Sequence, residues 1–350
     1  MQKSGSLAFR LPPPVNLISW REHPKAKEIK ERSDSWSRRS LTSILPADAV
    51  ETYLQTDASW WTCLSYPSAD EEKLLLIHKL SQYLFLLDDI ISYPDGPLHQ
   101  SNSPREVFNG LKDVLRDRRS TEPPPSVLPF IELWDQMAPD MTPGVKERFI
   151  VSLEDILNGF EREAVIRARG QWDDEQYFEI RRQTAAITTC LVFIEYGRMI
   201  DLSDILATQP SLQKALDLAE EHLILYNEIL SFRKEYFSGD KMGLVTMWAG
   251  EDLDKLQYAV DKIHGMAIKA ERDFVDLRDN ILATEWGKRD DVRAYLEEVG
   301  CLMVGTLHYQ YISPRYHGIG HVWNGSTSGT LTLTPELTIF PPVNGQLVAS

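Results

Sequence analysis

The chain has 350 residues, of which 43% are hydrophobic and 25% charged, and its formal net charge is −15 at pH 7. This length allows one large domain or two, and this composition is ordinary for a soluble globular protein. The negative charge argues against a nucleic-acid partner, which needs a basic face. The three cysteines, Cys63, Cys190 and Cys301, lie far apart and indicate neither a disulfide framework nor a zinc site.

No apolar run reaches the length of a membrane span. The N-terminus, with prolines at positions 12–14, lacks the apolar core of a signal peptide. Each cysteine stands among apolar residues, where a small buried thiol suits a reducing compartment. We therefore expect a cytoplasmic protein, either a monomer or a homodimer.

The chain reads as one helical domain between two irregular ends. Residues 1–14 are expected to form a flexible arm, residues 15–317 the domain, and residues 318–350 a largely irregular tail. A short strand is expected at 330–333, and no strand pattern precedes that tail. Helices are predicted over residues 47–63, 106–119, 128–137, 143–169, 174–200, 211–237, 252–286 and 290–311. A further helix is expected to open at the capping box 68–71 and to close at the turn 94–96.

The helix predicted between the capping box at 68–71 and the turn at 94–96 carries two adjacent carboxylates, Asp88 and Asp89, near its end. A helix C-terminus has negative partial charge, so acids are unfavourable there, and burying them requires cations or metal ions. A simpler interpretation lets both side chains point into solvent. The nearly all-apolar sequence before them favours a buried pair whose charge is compensated.

Asn227, Ser231 and Glu235 are spaced i, i+4 and i+8 in the predicted helix at 211–237. At 3.6 residues per turn they stack on one face, where they offer an amide oxygen, a hydroxyl and a carboxylate. These hard oxygen donors suit Mg²⁺ better than zinc or copper. Lys234 adds a cation beside that face. The simpler alternative is the polar face of an amphipathic helix.

This pattern, with an acid at Glu228 and a lysine before the last Glu, resembles the second metal-binding motif of class I terpene synthases. The segment Phe-Leu-Leu-Asp-Asp-Ile-Ile-Ser at 85–92 resembles the family's aspartate-rich motif, except that Ser92 replaces a carboxylate. The resemblance makes Asp88 the principal metal ligand, with Asp89 and Ser92 as possible support. Asp95 is a further candidate for the missing acid.

Two arginines also match the pattern of this family. Arg181 precedes an uncharged run, where an arginine either reaches out to solvent or holds an anion. It lies 46 positions before Asn227, the spacing of the family's diphosphate-sensing arginine. Arg315 and Tyr316 are similar to the family's C-terminal Arg-Tyr pair. The resemblance implies that both bind diphosphate together with Arg181 and Lys234, and that Arg315 meets Asp89 only when the site closes.

The resemblance spans about residues 85–316 and implies an all-α, single-domain class I terpenoid synthase-like helical bundle around an apolar cavity. Phe85, Tyr309, Thr184 and Ala185 would line the part of the cavity that holds the carbocation. Three Mg²⁺ ions would clamp the diphosphate of a linear prenyl substrate, above all farnesyl diphosphate. Its ionisation would give a sesquiterpene hydrocarbon or alcohol, as in the microbial sesquiterpene cyclases.

Three alternatives stay open. A monoterpene synthase would use geranyl diphosphate with the same residues. A chain-elongating prenyltransferase shares fold and metal, but carries a second aspartate-rich motif where this chain has Asn227–Glu235. A non-catalytic helical protein that binds terpenoids would explain the missing carboxylate at Ser92.

Overall fold

The computed structural model describes residues 7–92, 104–170, 172–250 and 253–333, and these residues are predominantly helical. The helices are α1 (Ala26–Ser40), α2 (Ala47–Leu54), α3 (Trp61–Ser65), α4 (Glu71–Ser92), α5 (Pro104–Leu115), α6 (Leu128–Met137), α7 (Pro143–Arg169), α8 (Asp174–Thr184), α9 (Ile187–Arg198), α10 (Ser203–Thr208), α11 (Pro210–Ser238), α12 (Leu244–Ala249), α13 (Leu256–Leu282), α14 (Asp290–Ile312) and α15 (Pro314–His317). The predicted all-α class is confirmed. Within the described ranges, no helix is long and apolar enough to cross a membrane.

The two ends of the described chain pair with each other. Strand β1 (Ala8–Leu11) runs antiparallel to β2 (Gly329–Thr332). The sequence predicts a strand near the position of β2 but none at β1, because four residues are too few to show a period. Phe9 and Leu11 alternate inward and pack in the apolar cluster around α11, α12 and α13.

Helix α11 lies at the centre of the bundle, and its two long faces differ in chemistry. It packs against α13 and α14. Leu225, Ile229 and Phe232 are buried in the apolar cluster that α11 shares with α13. With that face buried, the 3.6-residue period turns Asn227 and Ser231 toward the interior of the bundle.

One predicted helix is in fact two. The sequence predicts a continuous helix over 174–200, but α8 ends at Thr184 and α9 begins at Ile187. Ala186 between them has φ of 61°, in the left-handed region that residues other than glycine rarely adopt. The segment 47–63 is likewise divided between α2 and α3.

Two glycines let helices approach closely around the interior. A Cβ on Gly305 of α14 would lie 2.2 Å from the Leu64 carbonyl oxygen of α3. A Cβ on Gly159 of α7 would lie 2.8 Å from Cβ of Gln183 in α8. Any larger residue at either position would push its helix away from its neighbour.

Candidate active site

A cavity of about 630 Å³ lies inside the bundle, lined by residues of α4, α7, α8, α9, α11 and α14. Every predicted site residue whose side chain the structure describes lines this cavity: Phe85, Asp88, Asp89, Arg181, Thr184, Ala185, Asn227, Ser231, Lys234, Glu235, Tyr309, Arg315 and Tyr316. Ser92 is the last residue of α4, but its side chain lies outside the described part of the chain, as does Asp95.

Polar and apolar residues are separated along the cavity. On α4, Leu84 and Phe85 precede the two aspartates, and on α11, Leu223 and Ile224 precede Asn227. The last turns of both helices therefore bring ionic side chains together at one end, which we call the charged end. Further apolar lining comes from Phe108, Leu153, Leu157, Phe160, Phe193 and Leu302.

Asp89 is the buried charge partner of two cations. Its side chain is 1% exposed. Arg315 donates to it through Nη1 to Oδ2 at 2.5 Å and Nη2 to Oδ1 at 2.8 Å, and Lys234 Nζ donates to Oδ1 at 3.0 Å. Burial works against ionisation, but Arg315 and Lys234 outweigh it and lower the pKa of Asp89.

The pair of Asp89 and Arg315 differs from what the resemblance implies. We expect both groups to be hydrated until the site closes, yet in the described conformation they are 1% and 2% exposed and joined by two hydrogen bonds. That expectation is wrong for this conformation. The guanidinium of Arg315 also lies over the ring of Phe85, with its Cζ 4.5 Å from the ring centroid, so this residue is fixed from two sides.

Asp88, next in the chain, has a different environment. Its side chain is 39% exposed and faces the cavity, and Arg315 Nη2 lies 3.7 Å from its Oδ2. Across the cavity, Ser231 Oγ donates to Glu235 Oε1 at 2.6 Å. Asp88 on α4 and the polar face of α11 thus present oxygen atoms to one space.

Arg181 is held beside that face by two residues of α11. Its Nη2 donates to Asn227 Oδ1 at 2.5 Å and its Nε to Glu228 Oε1 at 3.1 Å. Asn227 Nδ2 in turn donates to Tyr316 Oη at 3.3 Å. The C-terminal Tyr316 and the arginine of α8 therefore meet through one amide side chain.

The helix break places Thr184 and Ala185 in the cavity wall, three and four residues after Arg181. Phe85 presents an aromatic ring to the same cavity, with the ring of Trp61 at 6.4 Å in an edge-to-face arrangement. Tyr309 is 1% exposed, and its hydroxyl donates to the Ala58 carbonyl at 3.0 Å. These rings could stabilise a cation through their faces.

Comparison with known proteins gives this geometry its context. The sequence model of the family described as "Terpene synthase family 2, C-terminal metal binding" matches residues 79–273. That span covers more than half of the chain and includes the aspartates of α4 and the polar face of α11. The chain belongs to the terpene synthase family. As a terpene synthase, it is a lyase that acts on prenyl diphosphates.

Two named terpene synthases are similar to this chain over most of its length. The chain is 27% identical over 349 residues to a (3S,6E)-nerolidol synthase of Selaginella moellendorffii, a match that covers 97% of this chain and 92% of the relative. It is 26% identical over 333 residues to an alpha-muurolene synthase of Coprinopsis cinerea, with 92% and 76% covered.

Solved structures show the same fold. Germacradien-4-ol synthase from Streptomyces citricolor superimposes with a TM-score of 0.71 at 22% identity, over 85% of this chain and 98% of that one. The linalool/nerolidol synthase of Streptomyces clavuligerus, solved with 2-fluorogeranyl diphosphate, gives 0.72 at 19% identity, over 85% and 97%. The class I terpenoid synthase-like bundle predicted from the sequence is thereby confirmed.

The donor set of this terpene synthase fits Mg²⁺. Burial, with Glu228 and Asp240 nearby, raises the pKa of the Glu235 carboxyl to about 8, so this carboxyl tends to hold its proton and a bound divalent cation would favour its ionised form. Among the described residues, no cluster of three or more His, Cys, Asp or Glu could hold a metal. The ligand set instead mixes carboxylate, amide and hydroxyl oxygens, which Mg²⁺ accepts.

The sequence assigns no role to several charged residues of the terpene synthase site. Glu228 matches the motif, but its role is visible only in the fold: it is 2% exposed, binds Arg181, and accepts from the Leu244 amide at 2.8 Å. Glu163, Arg167 and Asp240 also line the cavity. No local pattern distinguishes these three from ordinary surface charges.

Proposed function

We propose that this protein is a Mg²⁺-dependent class I terpene synthase that ionises farnesyl diphosphate and converts the cation to a sesquiterpene hydrocarbon or alcohol. One observation carries the proposal. Asp88 and the oxygen-bearing face of α11 line one apolar cavity, and Arg181, Lys234 and Arg315 line its charged end. A diphosphate with metal ions matches both sets of charges.

The metal ions would bind between α4 and α11, which face each other across the cavity. Asp88 on α4 and Asn227, Ser231 and Glu235 on α11 would hold Mg²⁺, three ions in all with diphosphate, and Asp89 and Ser92 would support them. Bound Mg²⁺ would act as a Lewis acid that stabilises charge on the departing diphosphate.

The cationic side chains bind and orient the leaving group. Arg181, Lys234, Arg315 and the Tyr316 hydroxyl donate hydrogen bonds to diphosphate oxygens, so the allylic carbon–oxygen bond breaks without a protein acid. Arg181 would give up its bond to Asn227 Oδ1 if that oxygen held a metal ion, and Glu228 would still hold Arg181 through Nε.

The apolar part of the cavity keeps water from the cation. Leu, Ile and Phe side chains dominate its lining, so the carbocation is confined in a dry space. The ring of Phe85 and the wall at Tyr309, Thr184 and Ala185 surround it, and an aromatic face contributes roughly 0.5–2 kcal/mol of stabilisation. The names of the relatives, nerolidol and alpha-muurolene synthases, support a sesquiterpene product.

We also propose that residues 15–317 form the catalytic domain, flanked by the N-terminal arm and the C-terminal tail. The enzyme would work in the cytoplasm as a monomer or homodimer, with the prenyl diphosphate as its small-molecule partner and without nucleic acid.

Incubation with geranyl, farnesyl and geranylgeranyl diphosphates in Mg²⁺, with isopentenyl diphosphate in a parallel set, tests the proposal. We expect farnesyl diphosphate to give C15 products and isopentenyl diphosphate to remain unconsumed, when volatile products are identified by mass spectrometry. Products from geranyl diphosphate alone would make this a monoterpene synthase. Consumption of isopentenyl diphosphate would make it a prenyltransferase, and binding without product would make it a terpenoid-binding protein.

A further inference from the structure

An ion-pair network at the charged end involves none of the proposed metal or diphosphate ligands. Arg167, in the last turn of α7, donates to both carboxylate oxygens of Asp240, with Nη2 at 3.0 Å from Oδ2. Its Nε donates to Glu163 Oε1, four residues earlier, at 2.8 Å. All three side chains line the cavity and are partly buried.

Asp240 belongs to the loop that immediately follows Glu235 and α11. Its backbone amide donates to the Glu235 carbonyl at 2.9 Å, which closes the last turn of the helix. Its side-chain Oδ1 accepts from the Met242 amide at 2.8 Å. One carboxylate therefore shapes the loop 239–243 and also ties it to α7.

This loop forms part of the cavity wall beside the acids of α11. A Cβ on Gly243 would lie 3.1 Å from Glu235 Oε2 and 3.3 Å from Glu228 Oε2. Leu244, the next residue, donates its amide to Glu228. A loop that moved away from α7 would uncover Glu235 and open the charged end to solvent.

We propose that Arg167 is a positioning residue whose bridge to Asp240 holds the loop 239–243 closed against α7 and excludes water while the cation reacts. This inference rests on the proposed function. When water reaches the cation, its oxygen forms a bond to carbon, and a water proton passes to the released diphosphate. The bridge would suppress that uncontrolled route.

The network predicts an asymmetry between its two ends. Loss of the Arg167 charge leaves Glu163 and Asp240 as two acids without their shared cation, and the two repel each other. Loss of the Asp240 charge leaves Arg167 paired with Glu163. Arg167→Met should therefore displace the loop more than Asp240→Asn.

The experiment first establishes turnover of farnesyl diphosphate by the wild-type protein in Mg²⁺. It then compares Arg167→Met, Asp240→Asn, the charge-swapped double variant Arg167→Asp with Asp240→Arg, and Arg162→Met. Arg162 is the matched control, because it lies on the same helix, is 44% exposed, pairs with Glu179 and Gln183, and is absent from the cavity lining.

For Arg167→Met we expect the share of water-quenched alcohols to rise about threefold, as befits a partly exposed ion pair, with KM nearly unchanged. If the wild-type product is itself an alcohol, its enantiomeric excess should fall instead. Amide hydrogen exchange at 239–243, measured on the protein without substrate, should quicken. Asp240→Asn should show smaller changes, and Arg162→Met should match wild type. The double variant should recover only in part, because an arginine at position 240 restores the bridge but cannot accept from the Met242 amide.

Two results would overturn the inference. A higher KM for Arg167→Met, with unchanged products and exchange, would mean that Arg167 contacts diphosphate directly. Products and exchange equal to those of Arg162→Met would make the network an ordinary surface ion pair. If the wild-type protein turned over no prenyl diphosphate, the proposed function would fail, and exchange at 239–243 would still decide whether Arg167 holds the loop.

Discussion

Asp88 and Asp89 are neighbours in the chain, yet they meet opposite environments. Asp89 is 1% exposed and bonded to Arg315 and Lys234, so its oxygens are committed to cationic side chains. Asp88 retains 39% exposure on the cavity side. Because a metal ligand needs an accessible carboxylate, we propose Asp88 as the principal metal ligand, which Asp89 supports by positioning Arg315 and Lys234.

This division of roles predicts unequal losses. Asp88→Ala should lower kcat with farnesyl diphosphate by about 100-fold or more, whereas Ser92→Ala should cost far less, because a hydroxyl is a weaker Mg²⁺ ligand than a carboxylate. Steady-state kinetics across a Mg²⁺ titration measure both. Similar losses in the two variants would make Ser92 a metal ligand. Asp95→Asn tests whether the following turn supplies the missing acid.

Arg315→Lys keeps the charge but removes the planar fork that makes two hydrogen bonds to Asp89. We predict about tenfold lower turnover, equivalent to ~1.4 kcal/mol at the transition state, and a larger share of alcohols. Since the pair is buried in the described conformation, the thermal midpoint without ligand should also fall, contrary to the expectation from sequence. An unchanged product ratio with a much lower midpoint would show that Arg315 is purely structural.

The positions of single residues could be predicted wherever one helix determines them. The period of α11 alone places Asn227, Ser231 and Glu235 on one face. Pairs between distant segments could not be predicted, because only tertiary packing brings their residues together. Arg181 and Glu228 lie 47 positions apart, and Arg167 and Asp240 lie 73 apart. No local sequence pattern indicates either pair.

Helices with local end signals were predictable to the residue. For α7, predicted at 143–169, Thr142 Oγ1 accepts from the Val145 amide at 3.3 Å and Gly170 ends the helix with φ of 67°. The break between α8 and α9 has no such signal. Ala186 favours helices, so its left-handed conformation reflects packing around the cavity and not propensity.

The helix that carries the aspartates, α4, is joined to α3 by a buried histidine. His78 Nε2 lies 2.8 Å from Ser59 Oγ, and its Nδ1 lies 2.7 Å from Thr62 Oγ1 at the start of α3. Burial lowers the pKa of His78 to about 3, so the ring is neutral in the folded protein at neutral pH.

Low pH should therefore weaken the contact between α3 and α4. The unfolded chain binds a proton at His78 near the ordinary pKa of about 6.5, whereas the folded protein does so only near about 3. The contribution of His78 to the free energy of unfolding is therefore fully present above pH 6.5 and is lost as the pH falls toward about 3. His78→Asn should be less stable at pH 7 but lose less of its stability between pH 6.5 and 4. Thermal midpoints across that range measure the difference. Parallel curves for wild type and variant would contradict this linkage.

The protein as a whole combines a dry interior with one ionic end. Burial of the apolar faces of α4 and α11 brings their polar last turns to the same end of the cavity. The packing that forms the bundle therefore also assembles the site. The ribbon of β1 and β2 packs behind α11, on the side away from the cavity, and joins the two ends of the described chain.

The most direct test of this account measures diphosphate release from farnesyl diphosphate by the wild-type protein, in Mg²⁺ and again after a chelator. Because every proposed ligand is an oxygen donor and no protein acid serves the leaving group, release should require Mg²⁺, stop in EDTA, and return when Mg²⁺ or Mn²⁺ is restored. Release that continues undiminished in EDTA would contradict the proposed mechanism.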